Sequence, residues 1–165
     1  MRVANDILIP ELARLLQDSK EVRFTPSGVS MRPFIEGDQD SVILAPLTTQ
    51  PRIGDILLVR VSDIRHQTSD IKHSTYVLHR LIRIEENPLA SRLSPLALYI
   101  LQGDGNLQGE EQCRLEDIIG RVKRIEYPSG RRKPLTRGRI WYHLFPLRRY
   151  LLKIYRHSWL RWLYK

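Results

Sequence analysis

Short runs rich in Val, Ile and Leu, separated by Gly, Pro and Asp, fill the middle of this 165-residue chain. Runs of this length with such punctuation are typical of β-strands joined by turns. The predicted strands are 22–25, 41–45, 55–61, 76–84, 97–102 and 118–126. We therefore expect a mainly antiparallel β domain, and the chain length suits one hydrophobic core.

Both ends of the chain follow a helical pattern instead. Residues 5–16 predict one short amphipathic helix or two, with Pro10 as a candidate first-turn residue. After Pro146, the residues Leu147, Leu151, Leu152, Ile154, Tyr155, Trp159, Trp162 and Leu163 fall on one half of a helical wheel. No segment reaches the roughly 20 apolar residues that a membrane-spanning helix needs. The expected fold is therefore mainly β with a short N-terminal helix and a C-terminal amphipathic helix.

The net charge of +9 is concentrated at the C-terminal end. Residues 121–165 contain fourteen Lys and Arg against one acidic residue, whereas residues 1–120 contain thirteen against seventeen. We expect a β domain over 1–126, a basic linker over 127–139 and a basic amphipathic helix over 140–165. Basic and aromatic faces on one helix favour contact with a membrane surface through 146–164. Docking of the apolar face on the β core or on a partner protein is the alternative. Nucleic acid is not an expected partner, because no reading module is recognisable.

Separate segments carry the residue types of an acyl-transfer site. Ser30 stands between Gly28 and Pro33, which favour a sharp and rigid local backbone. His79 lies in a β run, and Asp104 lies in a glycine-rich turn. A hydroxyl, an imidazole and a carboxylate are the groups with which an activated serine attacks a carbonyl carbon. Cys113 has no motif around it and is interpreted as a buried structural thiol.

These segments resemble the boxes of the signal peptidase I family and its relatives, the self-cleaving LexA-like repressors. The nucleophile box reads GVSMRPFIEGDQDSVIL at 28–44, and PRIGDILLVRV follows at 51–61. His-Arg at 79–80, Gly-Asp-Gly-Asn at 103–106 and IIGRV at 118–122 complete the set in the family's order. The resemblance covers 25–122 and implies a signal-peptidase-like antiparallel β fold and a serine peptidase activity.

His79 stands where most bacterial members of the family have a lysine base. The His-Arg pair resembles the archaeal and endoplasmic-reticulum type, which uses a Ser-His pair with an acidic residue. A neutral imidazole accepts a proton near pH 7 without the pKa depression that a lysine base needs. We expect Asp104 to orient His79, with Asp117 and Asp38 as lesser alternatives. Lys72 is the alternative base, although its polar surroundings would not desolvate an amine.

The oxyanion site is expected to use the backbone N–H of Ser30, beside Gly28 and Met31. The family often places a hydroxyl donor at the position of Gly28, and Ser27 is one position away from it. Val29 replaces the family's usual glycine. Met31 and Phe34 are candidates for substrate pockets or for the core. These departures put full oxyanion geometry in question, and one lost donor costs roughly 100- to 1000-fold in rate.

The resulting functional hypothesis is a serine endopeptidase of signal-peptidase type that cleaves a precursor or leader peptide, catalysed by Ser30, His79 and Asp104. No metal and no cofactor are expected, and the partner is a peptide or protein substrate. The expected location is cytoplasmic, with peripheral contact at the inner membrane face. A LexA-like self-cleaving regulatory module and a non-catalytic peptide-binding relative are the alternatives.

Overall fold

The computed structural model describes residues 5–62, 74–86, 97–133, 135, 141, 143–144 and 147–157. Helix α1 spans Asn5–Gln17 and helix α2 spans Arg148–His157. The strands are β1 (Val22–Phe24), β2 (Ser41–Ala45), β3 (Ile56–Ser62), β4 (Ser74–Glu86), β5 (Ala97–Gln102), β6 (Glu111–Cys113), β7 (Ile118–Glu126) and β8 (Arg132–Lys133). The predicted mainly antiparallel β fold with a helix at each end is confirmed.

All strands belong to one antiparallel sheet. Seven of them lie in the order β1-β2-β7-β3-β4-β5-β6, and the short β8 pairs with β7. Register shifts interrupt the β2–β7, β3–β7 and β4–β5 pairs. Such bulges bend a sheet locally and increase its twist. The central strands β7, β3 and β4 therefore form a curled surface with an apolar cluster on each side.

Alternation along the strands assigns residues to those two clusters. Helix α1 covers one face, where Ile9, Leu12 and Leu16 pack with Met31, Ile35 and Leu78. Leu57, Val59, Leu81, Tyr99, Leu101 and Cys113 form the second cluster, on the other face. Pro10 lies inside α1 rather than in its first turn. The prediction failed at this residue because the apolar stripe of α1 extends to both sides of the proline.

Two strands were not predicted from the sequence. The β6 residues Glu-Gln-Cys lack an apolar run, and β8 lies inside the segment predicted as a linker. Each is held by pairing with a longer neighbour, because β6 pairs with β5 and β8 pairs with β7. Strand β6 matters for the site, because it returns the chain alongside the end of β5.

Helix α2 docks on the β domain through part of its surface. Arg148 and Leu152 are buried, whereas Leu147, Tyr150 and Ile154 are 54%, 66% and 52% exposed. Trp159 and Trp162, which the sequence predicts on the apolar face, lie outside the described residues. None of the helices within the described ranges has the length and hydropathy that crossing a membrane requires.

Candidate active site

The loop between β1 and β2 carries Ser30, and glycine backbone holds its two arms together. Gly28 has a φ of +94°, a conformation that glycine adopts without steric cost. A Cβ atom on Gly37 would lie 2.0 Å from the carbonyl oxygen of Gly28, so the two backbones are in direct contact. The N–H of Asp38 donates to the carbonyl of Pro26 over 2.8 Å. The loop is therefore clamped on both sides of Ser30.

Ser30 is half-buried and stands at the start of a tight turn. The N–H of Arg32 donates to the carbonyl of Val29 over 3.2 Å, and Ile35 donates to Met31 over 3.0 Å. Within the described part of the chain, the N–H of Ser30 donates to no backbone carbonyl. Such a donor can bind a developing oxyanion, as the sequence predicts for this group.

The Ser30 loop is open at Gly28 and Val29. Val29 is 59% exposed, so most of its side chain lies in solvent. A Cβ atom on Gly28 would meet no atom within 4 Å. Gly28 offers no side-chain hydroxyl beside Ser30, although there is space for a side chain.

Residues 103–106, which we call the catalytic turn for the function proposed below, pack directly against Ser30. The N–H of Gly105 donates to the carbonyl of Ser30 over 2.7 Å, and the N–H of Asn106 donates to the carbonyl of Gly103 over 3.0 Å. A Cβ atom on Gly103 would lie 2.6 Å from the Ser30 carbonyl oxygen. Only a glycine lets the turn approach this closely, which explains the residue type at position 103.

His79 lies on β4, opposite Leu57 of β3. Its neighbour Arg80 pairs with Gln102, the last residue of β5, so Gly103 comes next to the imidazole. A Cβ atom on Gly103 would lie 3.0 Å from His79 Nε2. The Nε2 atom and the Ser30 carbonyl oxygen therefore both lie close to the position that a Cβ atom on Gly103 would occupy.

The other ring nitrogen of His79 is held by Glu111. The Nδ1 to Oε2 distance is 2.7 Å, with the imidazole 6% and the carboxylate 24% exposed. An ionised carboxylate accepts hydrogen bonds but donates none, so Nδ1 carries the proton. In the neutral ring, Nε2 then presents its lone pair, as a general base requires.

Asp104 is not hydrogen-bonded to His79, and the prediction of that contact is wrong. Its carboxylate accepts from Arg80 Nε over 2.8 Å and from Nη2 over 2.7 Å, while Arg80 Nη1 donates to Gly54 over 2.7 Å. His79 and Arg80 are adjacent on β4, and side chains alternate between the faces of a strand. The planar guanidinium matches a buried carboxylate with two parallel hydrogen bonds, so Asp104 pairs with the arginine.

The lesser alternatives for the orienting acid lie elsewhere. Asp117 pairs with Arg60 over 3.1 Å, and Asp38 stands at φ +64° in the loop after Ser30, as support for that turn. Lys72, the alternative base, lies outside the described residues.

A pocket of about 120 Å³ lies beside Ser30. Its walls are the Ser30 loop on one side and β4 residues from Tyr76 to His79 on the other. Ser30, Gly28, Met31 and His79, all predicted site residues, line it together. Phe34 packs edge-to-face on Trp141 instead, with ring centroids 5.5 Å apart. The pocket is small, with polar and apolar walls, and Ser30 lies in its lining.

Sequence reasoning missed Glu111 because no motif marks it. The available signal is its position, since it begins a strand soon after the Gly-Asp-Gly-Asn turn. A chain that reverses there returns next to β5, close to the predicted imidazole. Arg148 was also missed as a contact of the site, because it lies 45 residues along the chain from Gly103.

Cys113 is buried and free of any disulfide. Burial raises the pKa of its thiol to about 12, and the Asp117 carboxylate adds to the rise. A thiol with this pKa is a poor nucleophile, because the thiolate is the reactive form.

No family model, no curated protein and no solved structure matches this chain. The function is therefore inferred from the chemistry of the site itself.

Proposed function

We propose that this chain is a serine endopeptidase of the signal-peptidase type that cleaves a precursor or leader peptide. The observation that carries the proposal is the orientation of His79. Glu111 binds Nδ1, and Nε2 lies against the catalytic turn that is hydrogen-bonded to Ser30. A buried imidazole with one nitrogen held by a carboxylate and the other next to a serine turn is the arrangement of a general base.

In the proposed reaction, the Ser30 hydroxyl oxygen attacks the peptide carbonyl carbon while Nε2 of His79 takes the hydroxyl proton. The backbone N–H of Ser30 stabilises the tetrahedral oxyanion. The imidazolium then gives its proton to the leaving amine, which leaves an ester on Ser30. A water molecule, deprotonated by the same imidazole, hydrolyses the ester and restores the serine.

Glu111 has the role that was predicted for Asp104. It keeps the proton on Nδ1 and stabilises the positive charge of the imidazolium during each transfer. Asp104 and Arg80 then hold the catalytic turn in place, because their ion pair links it to the carbonyl of Gly54.

The pocket beside Ser30 favours a substrate with a small side chain next to the scissile bond. Its volume of about 120 Å³, bounded in part by Met31, Ile35 and Leu78, accommodates a short side chain. The peptide is expected to lie along β4, which forms one wall of this pocket.

We also propose an anionic membrane surface as a partner of helix α2. Exposed Tyr150 and Ile154 lie four residues apart on one side of α2, and exposed Leu147 directly precedes the helix. Exposed Arg149 and Lys153 flank them, and each basic residue near an anionic bilayer adds about 1 kcal/mol to binding. This would bring the peptidase to precursors at the inner membrane face.

The proposed function is tested with a serine-reactive acylating inhibitor and intact-mass analysis. The wild-type chain should gain one adduct, and Ser30→Ala and His79→Ala should gain none. Ser27→Ala is the matched control, because Ser27 lines the same pocket but is not the proposed nucleophile. Equal labelling of all four proteins would exclude the mechanism.

The same samples separate the alternative functions. A LexA-like self-cleaving module would release fragments of its own chain while leaving added peptides intact. A non-catalytic relative would bind peptides in the pocket and form no adduct.

A further inference from the structure

Helix α2 contacts the catalytic turn through the side chain of Arg148. This residue is 3% exposed. Its Nη2 donates to the carbonyl of Gly103 over 2.8 Å, and its Nη1 donates to Oε1 of Gln102 over 3.2 Å. The guanidinium therefore binds the last residue of β5 and the first residue of the turn together.

The carbonyl oxygen of Gly103 accepts two hydrogen bonds and so links two parts of the site. It accepts from Arg148 and also from the N–H of Asn106, which closes the turn. The same turn donates from Gly105 to the Ser30 carbonyl, and Gly103 lies against His79 Nε2. A shift of the Gly103 peptide plane would therefore move the nucleophile loop relative to the base.

The Arg148 guanidinium lies in a buried setting whose nearby carboxylate is already paired. Burial lowers the pKa of Arg148, and the Asp104 carboxylate partly offsets that effect. Both Asp104 oxygens already accept hydrogen bonds from Arg80. A buried guanidinium in such a setting is weak evidence for added stability, and its hydrogen bonds to Gln102 and Gly103 are the geometry on which a role can rest.

A second contact supports the same interpretation independently. Trp141, which precedes α2, packs edge-to-face on Phe34 of the Ser30 loop. The guanidinium carbon of Arg80 lies over the Phe34 ring, 5.6 Å from the ring centroid. The C-terminal segment therefore contacts the nucleophile loop through Trp141 and the catalytic turn through Arg148.

We propose that Arg148 is a positioning residue of the peptidase, holding the catalytic turn so that His79 and Ser30 keep their relative placement. This inference rests on the proposed function. Arg148 is not among the residues that line the pocket beside Ser30. Its loss should therefore lower kcat and the rate of acylation while leaving KM nearly unchanged.

The experiment compares Arg148→Ala with Arg23→Ala in the whole chain. Arg23 lies on β1 with a side chain that is 61% exposed and paired with Glu126, so it controls for loss of an arginine outside the site. We expect Arg148→Ala to slow inhibitor acylation by about 10- to 100-fold, the effect of a misplacement of about 1 Å. Arg23→Ala should react at the wild-type rate. Unchanged acylation in Arg148→Ala would overturn the inference.

Amide hydrogen exchange gives a readout that does not depend on activity. The Gly105 N–H should exchange faster in Arg148→Ala, because its hydrogen bond to Ser30 loosens, while amides in the centre of β3 stay protected. Uniformly faster exchange would indicate general destabilisation and would contradict a positioning role. If Arg148→Ala does not fold, Arg148→Lys takes its place. Lysine keeps the charge but lacks the planar fork, so partial loss is expected, and wild-type acylation would count against the inference.

The two proposals fail in distinguishable ways. A wild-type chain that forms no adduct removes the proposed function, and this inference with it. A wild-type chain that labels on Ser30 together with fully active Arg148 variants removes only the positioning role.

Discussion

Glu111 accepts a hydrogen bond from Nδ1 of His79 at 2.7 Å, with Gly103 leaving room for the imidazole between β4 and β6. Three features of β5, β6 and the residue after β5 bring these two side chains together. Strand β5 ends at Gln102, the following residue has no side chain, and β6 begins at Glu111. His79 and Glu111 therefore lie on strands that are not adjacent in the sheet.

Replacement of Glu111 should remove the orientation of the base while keeping the fold. We expect Glu111→Gln to lower kcat by about 10²- to 10⁴-fold, because the imidazolium loses its charged partner and the Nδ1 proton its strong acceptor. The measurement is the rate of peptide cleavage or of inhibitor acylation. Glu110→Gln is the control, since Glu110 is exposed and pairs with Arg83. Full activity in Glu111→Gln would show that Glu111 does not orient the base.

Asp104 should instead be required for stability. Asp104→Ala leaves the buried Arg80 guanidinium without its carboxylate, which costs about 3–5 kcal/mol in the free energy of unfolding. Urea denaturation at constant pH measures this loss. Removing Glu85 from its exposed pair with Arg83 should leave stability nearly unchanged, because solvent screens exposed ion pairs. Similar losses in both variants would contradict the buried ion pair.

A methyl group at position 103 should damage the site directly. In Gly103→Ala the new Cβ would lie 2.6 Å from the Ser30 carbonyl oxygen and 3.0 Å from His79 Nε2. The turn has to move away, and we expect acylation of Ser30 to be lost together with about 1–3 kcal/mol of stability.

Gly109→Ala is the control for that substitution. Gly109 has a φ of +90° but open space around its Cβ position, so the variant should lose about 1–2 kcal/mol of stability by backbone strain and keep its activity. An active Gly103→Ala enzyme would argue against close contact between the turn and the base.

Cys113 should be inert in the folded chain. With a pKa of about 12, its thiol is almost fully protonated at pH 8, and the side chain is buried. Iodoacetamide should therefore label it slowly in buffer and rapidly in urea, as followed by intact mass. Fast labelling of the native chain would contradict the buried position in the second cluster.

The exposed apolar residues at the start of α2 should control binding to lipid. Replacing Leu147, which directly precedes the helix, and Tyr150 and Ile154 within it with serine is expected to abolish co-sedimentation with vesicles that contain anionic lipid, while inhibitor acylation in solution stays at the wild-type rate. Leu115→Ser is the control, because Leu115 is 46% exposed but lies between β6 and β7. Vesicle binding that persists in the triple variant would refute α2 as the membrane contact.

Local patterns in the sequence were sufficient for much of the architecture. The strand runs and the helix at 5–16 were predicted close to their observed bounds, because each pattern is set by alternation or helical spacing within a few residues. The helix after Pro146 is observed over Arg148–His157, and its predicted continuation past 157 lies outside the described residues. Glycine and proline beside Ser30 predicted a tight turn there, whereas His79 was selected by its place in the family resemblance.

The partners of charged side chains could be decided only by the tertiary structure. Asp104 and Glu111 both follow β5, and nothing in their local sequence says which one meets His79 and which one meets Arg80. Strand register decides this, because neighbouring residues on β4 face opposite sides of the sheet. The contact of Arg148 with Gly103 likewise depends on where α2 docks. Sequence separation does not predict such contacts between side chains. Periodicity predicts only which face of a strand or helix a residue lies on.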